Sequence, residues 1–242
     1  MVKILKNAGS YDILTPREWL PDQLLLIERA ARTCYQSIKG DITSETAEKF
    51  IRMLISRGHN SQLEHSWLMV QFNDCSRGFT HELVRHRLMA ISQESTRFVD
   101  YTSTGQLDLG NISIKFIVPP HRNENETVML SDGRQMTLAQ MAAEVELFYL
   151  GLRKADWAPE DARQILPNGI KSQIVVSCNL REWRHIFFMR TAKPAHWEIR
   201  SVMCPLLTEL KNIIPVMFED FTEVGKDKNG IPYFETKSEI HY

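Results

Sequence analysis

The hydrophobic pattern of this chain switches from a helical period to an extended one across a single glycine, and that switch rules out an all-helical or an all-β fold. Before Gly58, residues Ala47, Phe50, Ile51, Leu54 and Ile55 recur at helical spacing. Ser44 is the expected N-cap there, Glu45 and Glu48 favour the positive end, and Gly58 is the stop. Just beyond, Leu68, Val70 and Phe72 alternate with Trp67, Met69 and Gln71, as in a strand with unlike faces. The alternation returns at Ile112, Ile114, Phe116 and Val118 before Pro119 and Pro120 end it, and a further strand is expected over residues 171–179. Helical and extended patterns thus alternate along the chain. No repeat or low-complexity linker divides the 242 residues, and 43% hydrophobic content supports a sizeable core, so residues 1–242 are expected to form one domain.

The remaining elements follow from local signals. Residues 2–14 read as a strand or hairpin at a sheet edge, and Leu24, Ile27, Ala31 and Cys34 mark a helix from Asp22 to Tyr35. Residues 121–135 are a polar connection or small hairpin with an SDG turn. Thr137 and Gln140 make a capping-box pair ahead of a helix striped by Leu138, Met141, Ala142, Val145, Phe148, Tyr149 and Leu152. Pro159 opens a short helix holding Arg163 and closed by Pro167. LREWRHIFFMR, residues 180–190, is a helix with Trp183, Phe187 and Arg190 on one side and Arg181, His185 and Phe188 on the other. The last helix runs from Trp197 to Ile214 with Pro205 as an expected kink, and the polar tail from Thr222 is expected to be peripheral.

The chemistry concentrates in RHRLMAISQESTR, Arg85 to Arg97. Guanidinium forks suit phosphate or the edge of a planar heterocycle, and the hydroxyls and amides of Ser92, Gln93, Glu94, Ser95 and Thr96 add orienting bonds. If residues 79–90 are helical, Phe79, Leu83, His86 and Ala90 share a face, which turns His86 away from water. The alternative for an RHR tripeptide alone is a solvated basic helix with a satisfied core histidine. His59, Ser61, Glu64 and His65 fall in a helix-to-strand loop, as ligand contacts or as groups that tether the loop.

Composition narrows the partners. With 29 basic and 30 acidic residues the formal charge is -1, which gives no global footprint for nucleic acid or an anionic membrane. Anion binding must then be local. Cys34, Cys75, Cys178 and Cys204 form no C-x-x-C pair, arguing against a zinc knuckle and fitting a reducing compartment. The N-terminus lacks an apolar signal core and no apolar run reaches membrane-spanning length, so a soluble, cytoplasmic protein is expected. Two rival readings are a metal-dependent hydrolase using His59, His65, His81 and His86 with Glu64, and a nucleic-acid-binding module built on Arg85 to Arg97. The histidines lack a close pair backed by a carboxylate, so no metal ligands are assigned; near-neutral charge argues against the second.

RHRLMAISQESTR resembles the signature of the flavin-dependent thymidylate synthases, an RHR followed after seven residues by a serine, here Arg85, His86, Arg87 and Ser95. AARTCY (30–35), GHNSQLEH (58–65), ARQILP (162–167), CNLREW (178–183) and MRTAKPAHWEIR (189–200) resemble the family's other blocks in their order. The resemblance implies an α/β (α+β) fold with a mixed β-sheet flanked by helices, a homotetramer with shared active sites, FAD as cofactor, and conversion of dUMP to dTMP with methylenetetrahydrofolate and NADPH. It implies flavin contacts at Ser61, Arg85, His86, Arg87, Gln93, Asn179, Arg181 and His185, with Glu64 a further candidate. It implies nucleotide contacts at Glu82, Arg85, Gln93, Glu94, Ser95, Thr96, Arg97 and Arg163, and a catalytic arginine, Arg190, against the pyrimidine. Cys34, Glu82 and Phe98 depart from the residues usual at their positions, serine, glutamine and tyrosine. A carboxylate at Glu82 accepts a hydrogen bond but cannot donate one. With the flavin carrying the hydride, no cysteine nucleophile is required, and Ser95 is implied to be a dUMP ligand rather than a hydrolase serine.

Overall fold

The computed structural model describes residues 3–6, 9–34, 36–37, 40–99, 101 and 114–238. Tyr35 and Ile112, named above, lie outside them. In chain order the elements are β1 (Lys3–Lys6), β2 (Ser10–Ile13), α1 (Trp19–Cys34), α2 (Ser44–Ser56), β3 (Leu68–Ser76), α3 (Arg77–Leu83), β4 (Ala90–Gln93), β5 (Lys115–Val118), β6 (Thr127–Met129), β7 (Gln135–Thr137), α4 (Leu138–Lys154), α5 (Pro159–Ala162), β8 (Lys171–Cys178), α6 (Leu180–Arg190), α7 (Trp197–Ile213), α8 (Pro215–Phe218), β9 (Phe221–Lys226) and β10 (Pro232–Thr236). Short 3-10 turns span Asn60–Glu64 and Arg163–Ile165. Among the described residues the strands divide into four small sheets rather than one: β2-β3-β8-β4, and the pairs β1-β5, β6-β7 and β9-β10. β1 pairs with β5 in parallel and the other two pairs are antiparallel, so β1 and β2 do not form a hairpin.

The chain divides into two compact units. The first comprises Met1–Ser10, Asn73–His81 and Gln93–Ile174; the second comprises Tyr11–Phe72, Glu82–Ser92 and Val175–Tyr242. The first unit has a core of Tyr101, Ile114, Phe116, Ala142, Tyr149, Ala162 and Ile170. α4 begins at the expected capping box, in which Thr137 Oγ1 accepts from the amide of Gln140 (3.1 Å) and Gln140 Oε1 from that of Thr137 (2.8 Å). Its stripe is narrower than the pattern predicts: Ala142 and Tyr149 are buried, but Phe148 is 59% exposed. The polar stretch before it is the β6-β7 hairpin, turned at Gly133 with φ 87°.

The second unit packs α1 on α2 and α6 on α7. Leu24, Ile27, Ala47, Ile51 and Leu54 are buried, as their spacing predicts. The N-cap of α2 is Thr43 rather than Ser44. Its hydroxyl accepts from the amide of Thr46, whose own hydroxyl accepts from the amide of Thr43 and donates to the buried Glu28. In α6, Trp183 is fully buried, its ring 5.6 Å from Phe187 and 6.5 Å from Phe72, and its Nε1–H donates to the carbonyl of Leu68. The polar tail is not loose. β9 and β10 form a hairpin against α7 with Phe221, Ile231 and Phe234 buried, and it carries Asp227, which accepts from the buried Arg200 (2.5 Å). Immediately before β9, Asp220 takes both terminal nitrogens of the buried Arg184 at 2.8 and 2.6 Å.

Candidate active site

The helix expected over residues 79–90 stops at Leu83. Arg85, His86 and Arg87 lie beyond it, and Ala90 belongs to β4. Phe79 and Leu83 are fully buried and His86 is 6% exposed, as the shared face predicts, but Ala90 is exposed. Two physical causes end the helix. Non-local strand pairing claims the residues from Ala90 onward, and the carbonyl of Glu82 is taken by a side chain, Nη2 of Arg190, at 2.8 Å. A cation on a C-terminal carbonyl satisfies one of the four that every helix leaves open and suits the negative end of the helix dipole.

All three nitrogens of that guanidinium are anchored: Nη1 donates to Glu82 Oε2 (3.0 Å), Nη2 to the Glu82 carbonyl, and Nε to Nε2 of His86 (2.9 Å). His86 in turn places Nδ1 3.5 Å from Oε1 of Glu182 and meets the ring of His185 edge-on at 5.3 Å. Arg85, His86, Arg87, Leu88, Glu182, His185, Met189 and Arg190 together line a cavity of about 460 Å³ in the second unit. Burial holds His185 below the usual imidazole range against the opposing pull of Glu182, so it is neutral at neutral pH. Burial also lowers Arg190, opposed by Glu82, and Arg85 lowers it further; a guanidinium remains charged throughout.

Of the flavin residues implied by sequence, this cavity gathers Arg85, His86, Arg87 and His185, together with Arg190. Ser61, Asn179 and Arg181 belong to the same unit but not to that wall. Ser61 is exposed and donates to Gln62 Oε1, Arg181 pairs with Glu64, and Asn179 Oδ1 caps α6 by accepting from the amide of Glu182 (2.8 Å). A ligand contact through Asn179 then falls to its NH2 group. A larger cavity of about 700 Å³ in this unit is lined by Trp19, Leu26, Trp67, Met69, His65 and their neighbours. It lacks the arginines that line the smaller one.

The residues of the first unit that the resemblance implies as nucleotide contacts are each tied to a partner within that unit. Glu94 accepts from Lys171 Nζ (2.8 Å) and from the hydroxyl of Tyr101 (3.2 Å), while Arg77 donates to its carbonyl. Burial and the Glu94 carboxylate push the Tyr101 phenol above its ordinary range. Gln93 donates to Thr80 Oγ1 (2.7 Å), Arg163 to Thr96 Oγ1 (3.1 Å), and Arg97 to the exposed Glu160 (3.1 Å). The Ser95 hydroxyl accepts from the amide of Arg97. Sequence reasoning missed Glu182, Lys171, Tyr101 and Arg77. Glu182 alone had a local signal, three residues before His185 in the first turn of α6.

The family model described as thymidylate synthase complementing protein matches residues 17–216. A flavin-dependent thymidylate synthase from Clostridium tetani (strain Massachusetts / E88) is 30% identical over 217 residues, covering 84% of this chain and 83% of its own. The chain belongs to the flavin-dependent thymidylate synthase family. A second family member, from Mycobacteroides abscessus, is 34% identical over 207 residues, 81% of this chain and 78% of its own. In fold the chain is similar to the UMP/dUMP methylase PolB from Streptomyces cacaoi bound with 5-Br dUMP, with a TM-score of 0.65 at 19% identity over 90% of this chain and 96% of that one. The rival metal site finds no support: among the described residues no group of three or more His, Cys, Asp or Glu is placed to hold a metal ion. Nor do the buried thiols suit nucleophilic attack, since burial raises Cys178 far above neutrality and pushes Cys204 up to about 12.

Proposed function

We propose that this chain, working over residues 1–242 as one thymidylate synthase domain, converts dUMP to dTMP by reductive methylation. Methylenetetrahydrofolate is the one-carbon donor and NADPH the reductant, acting through FAD. The observation that carries the reading is the cavity walled by Arg85, His86, Arg87 and Arg190. Its donor set fits the flavin dinucleotide, which presents anionic phosphates and a planar ring, the two shapes a guanidinium fork matches. Arg85, His86, Arg87 and His185 would hold it, with Ser61, Gln93, Asn179 and Arg181 as further contacts. FAD supplies the hydride carrier and a route for the one-carbon unit.

The protein's own part is binding and electrostatics. Arg190, fixed by three hydrogen bonds to the protein itself, sets a positive charge against the pyrimidine and stabilises negative charge developing on it. Glu82, Arg85, Gln93, Glu94, Ser95, Thr96, Arg97 and Arg163 receive the nucleotide. The guanidinium of Arg97 meets an exposed ion-pair partner in Glu160 and lies 5.3 Å from the Phe98 ring, and an exposed pair of that kind is weak enough for a phosphate dianion to compete with it. The reading includes a homotetramer with shared active sites and a cytoplasmic location; among the described residues no helix is long and apolar enough to cross a membrane. The test is tritium release from dUMP labelled at C5, with FAD, NADPH and methylenetetrahydrofolate present. Release matched by dTMP is expected, and a protein that binds no flavin and releases no tritium would overturn the reading.

A further inference from the structure

The bond between Arg190 and His86 fixes more than a distance. A guanidinium is always protonated and has no acceptor, so Nε2 of His86, which faces Arg190 Nε–H at 2.9 Å, must present its lone pair. The imidazole is therefore neutral with its proton on Nδ1, and that nitrogen faces Glu182 Oε1 at 3.5 Å. Glu182 and His86 are 2% and 6% exposed, so water does not substitute for either partner. Glu182 is held in turn by the start of α6, where its own amide is capped by Asn179. The other groups around the imidazole are Glu82, Arg85 and Arg87 from the chain before and beside it, and His185 and Arg190 from α6.

We propose that Glu182 is a positioning residue for Arg190, acting through His86: its carboxylate faces the Nδ1–H, favours that tautomer and so keeps Nε2 an acceptor for the arginine. The proposal rests on the role given to Arg190 above. No proton moves in the relay; it selects one of two tautomers. In the other tautomer the Nε2–H would point at the Arg190 Nε–H, two donors would face each other, and the guanidinium would lose one of its three anchors. Glu82 would still hold the remaining two nitrogens, so the side chain would swing about that pair rather than leave the cavity.

Histidine-selective 15N NMR of the flavin-loaded protein reads the tautomer directly, with the His86 signal identified by its loss in His86→Gln. Wild type is expected to show the Nδ1–H form. Glu182→Leu keeps the volume but removes the acceptor, and is expected to move His86 to the Nε2–H form. Its kcat should fall on the order of 10²-fold, the usual consequence of an ångström-scale misplacement, with KM for NADPH and flavin content little changed. Glu182→Gln, whose amide oxygen still accepts from Nδ1–H, should recover the Nδ1–H form and most of the kcat, which a charge role alone would not produce, while the loss in Glu182→Leu separates the acceptor from packing. An Nε2–H signal in wild type would overturn the relay, and this holds even if Glu182→Leu fails to fold. So would a tautomer switch in Glu182→Leu without loss of kcat, or a loss of kcat without the switch. Wild type that shows the Nδ1–H form yet makes no dTMP would overturn the functional reading and leave the relay standing.

Discussion

Replacing Arg190 separates the charge of the proposed catalytic residue from its geometry. Arg190→Ala removes three hydrogen bonds at once and leaves Glu82, whose side chain is 30% exposed, and the buried Nε2 of His86 without their donor. Water reaches Glu82 but not His86, so the structural cost is dominated by one buried acceptor, about 1–3 kcal/mol. For a chain of this size that lowers the melting temperature by about 2–12 °C. The catalytic cost is larger. Removing one fixed donor from a developing negative charge typically lowers kcat by about 10²–10³-fold. Arg190→Lys keeps a charge but meets only part of the fork, so it should fall between wild type and Arg190→Ala. The assays are tritium release for turnover, flavin absorbance after gel filtration for retention, and thermal unfolding. Turnover in Arg190→Ala equal to wild type would refute the role, and equal loss in both variants would refute the part assigned to charge.

His86→Ala should weaken flavin retention, read as absorbance lost on gel filtration, and unchanged flavin content would contradict its place in the flavin wall. Asp220→Ala strips the buried Arg184 of its counter-ion and should destabilise the fold by about 3–5 kcal/mol in urea unfolding. Burial alone would raise the Asp220 carboxyl, but the hydrogen bonds and charge of Arg184, with the Thr236 hydroxyl, hold it below its ordinary 3.8. Its stabilisation is therefore complete above that value and is lost as pH falls through it towards the lower folded value; Asp220→Ala should lack this acid-sensitive component.

Local signals were legible in the sequence and non-local ones were not. The capping box at Thr137 and Gln140, the α2 stripe and the alternation of β3 depend on neighbours a few residues away, and the structure has them in place. The N-cap of α2 slipped by one residue because Thr43 and Ser44 offer the same hydroxyl. The helix through Arg85 to Arg87 failed for a different reason: its period continued, but pairing of β4 and the bond from Arg190 to the Glu82 carbonyl, 108 residues away in sequence, decided otherwise. Phe148 fits a helical stripe by spacing yet is exposed, since spacing says which face a residue occupies and not what covers it. The arginines of the site were readable by type, whereas Glu182 became visible only when the imidazole between it and Arg190 was placed.

The C-terminal hairpin also bears on how the chain matures. Arg184 and Arg200 are buried in α6 and α7, but their carboxylate partners, Asp220 and Asp227, come later in sequence, and Phe234 later still. During synthesis the two helices leave the ribosome before the charges that neutralise them. Until residue 220 has emerged, closing the second unit would bury two guanidiniums without these counter-ions, and until residue 227 it would still bury one, at a cost of several kcal/mol each. Closure of the unit then depends on Asp220 and Asp227 being available, and chains stalled short of Asp220 should stay open to proteases.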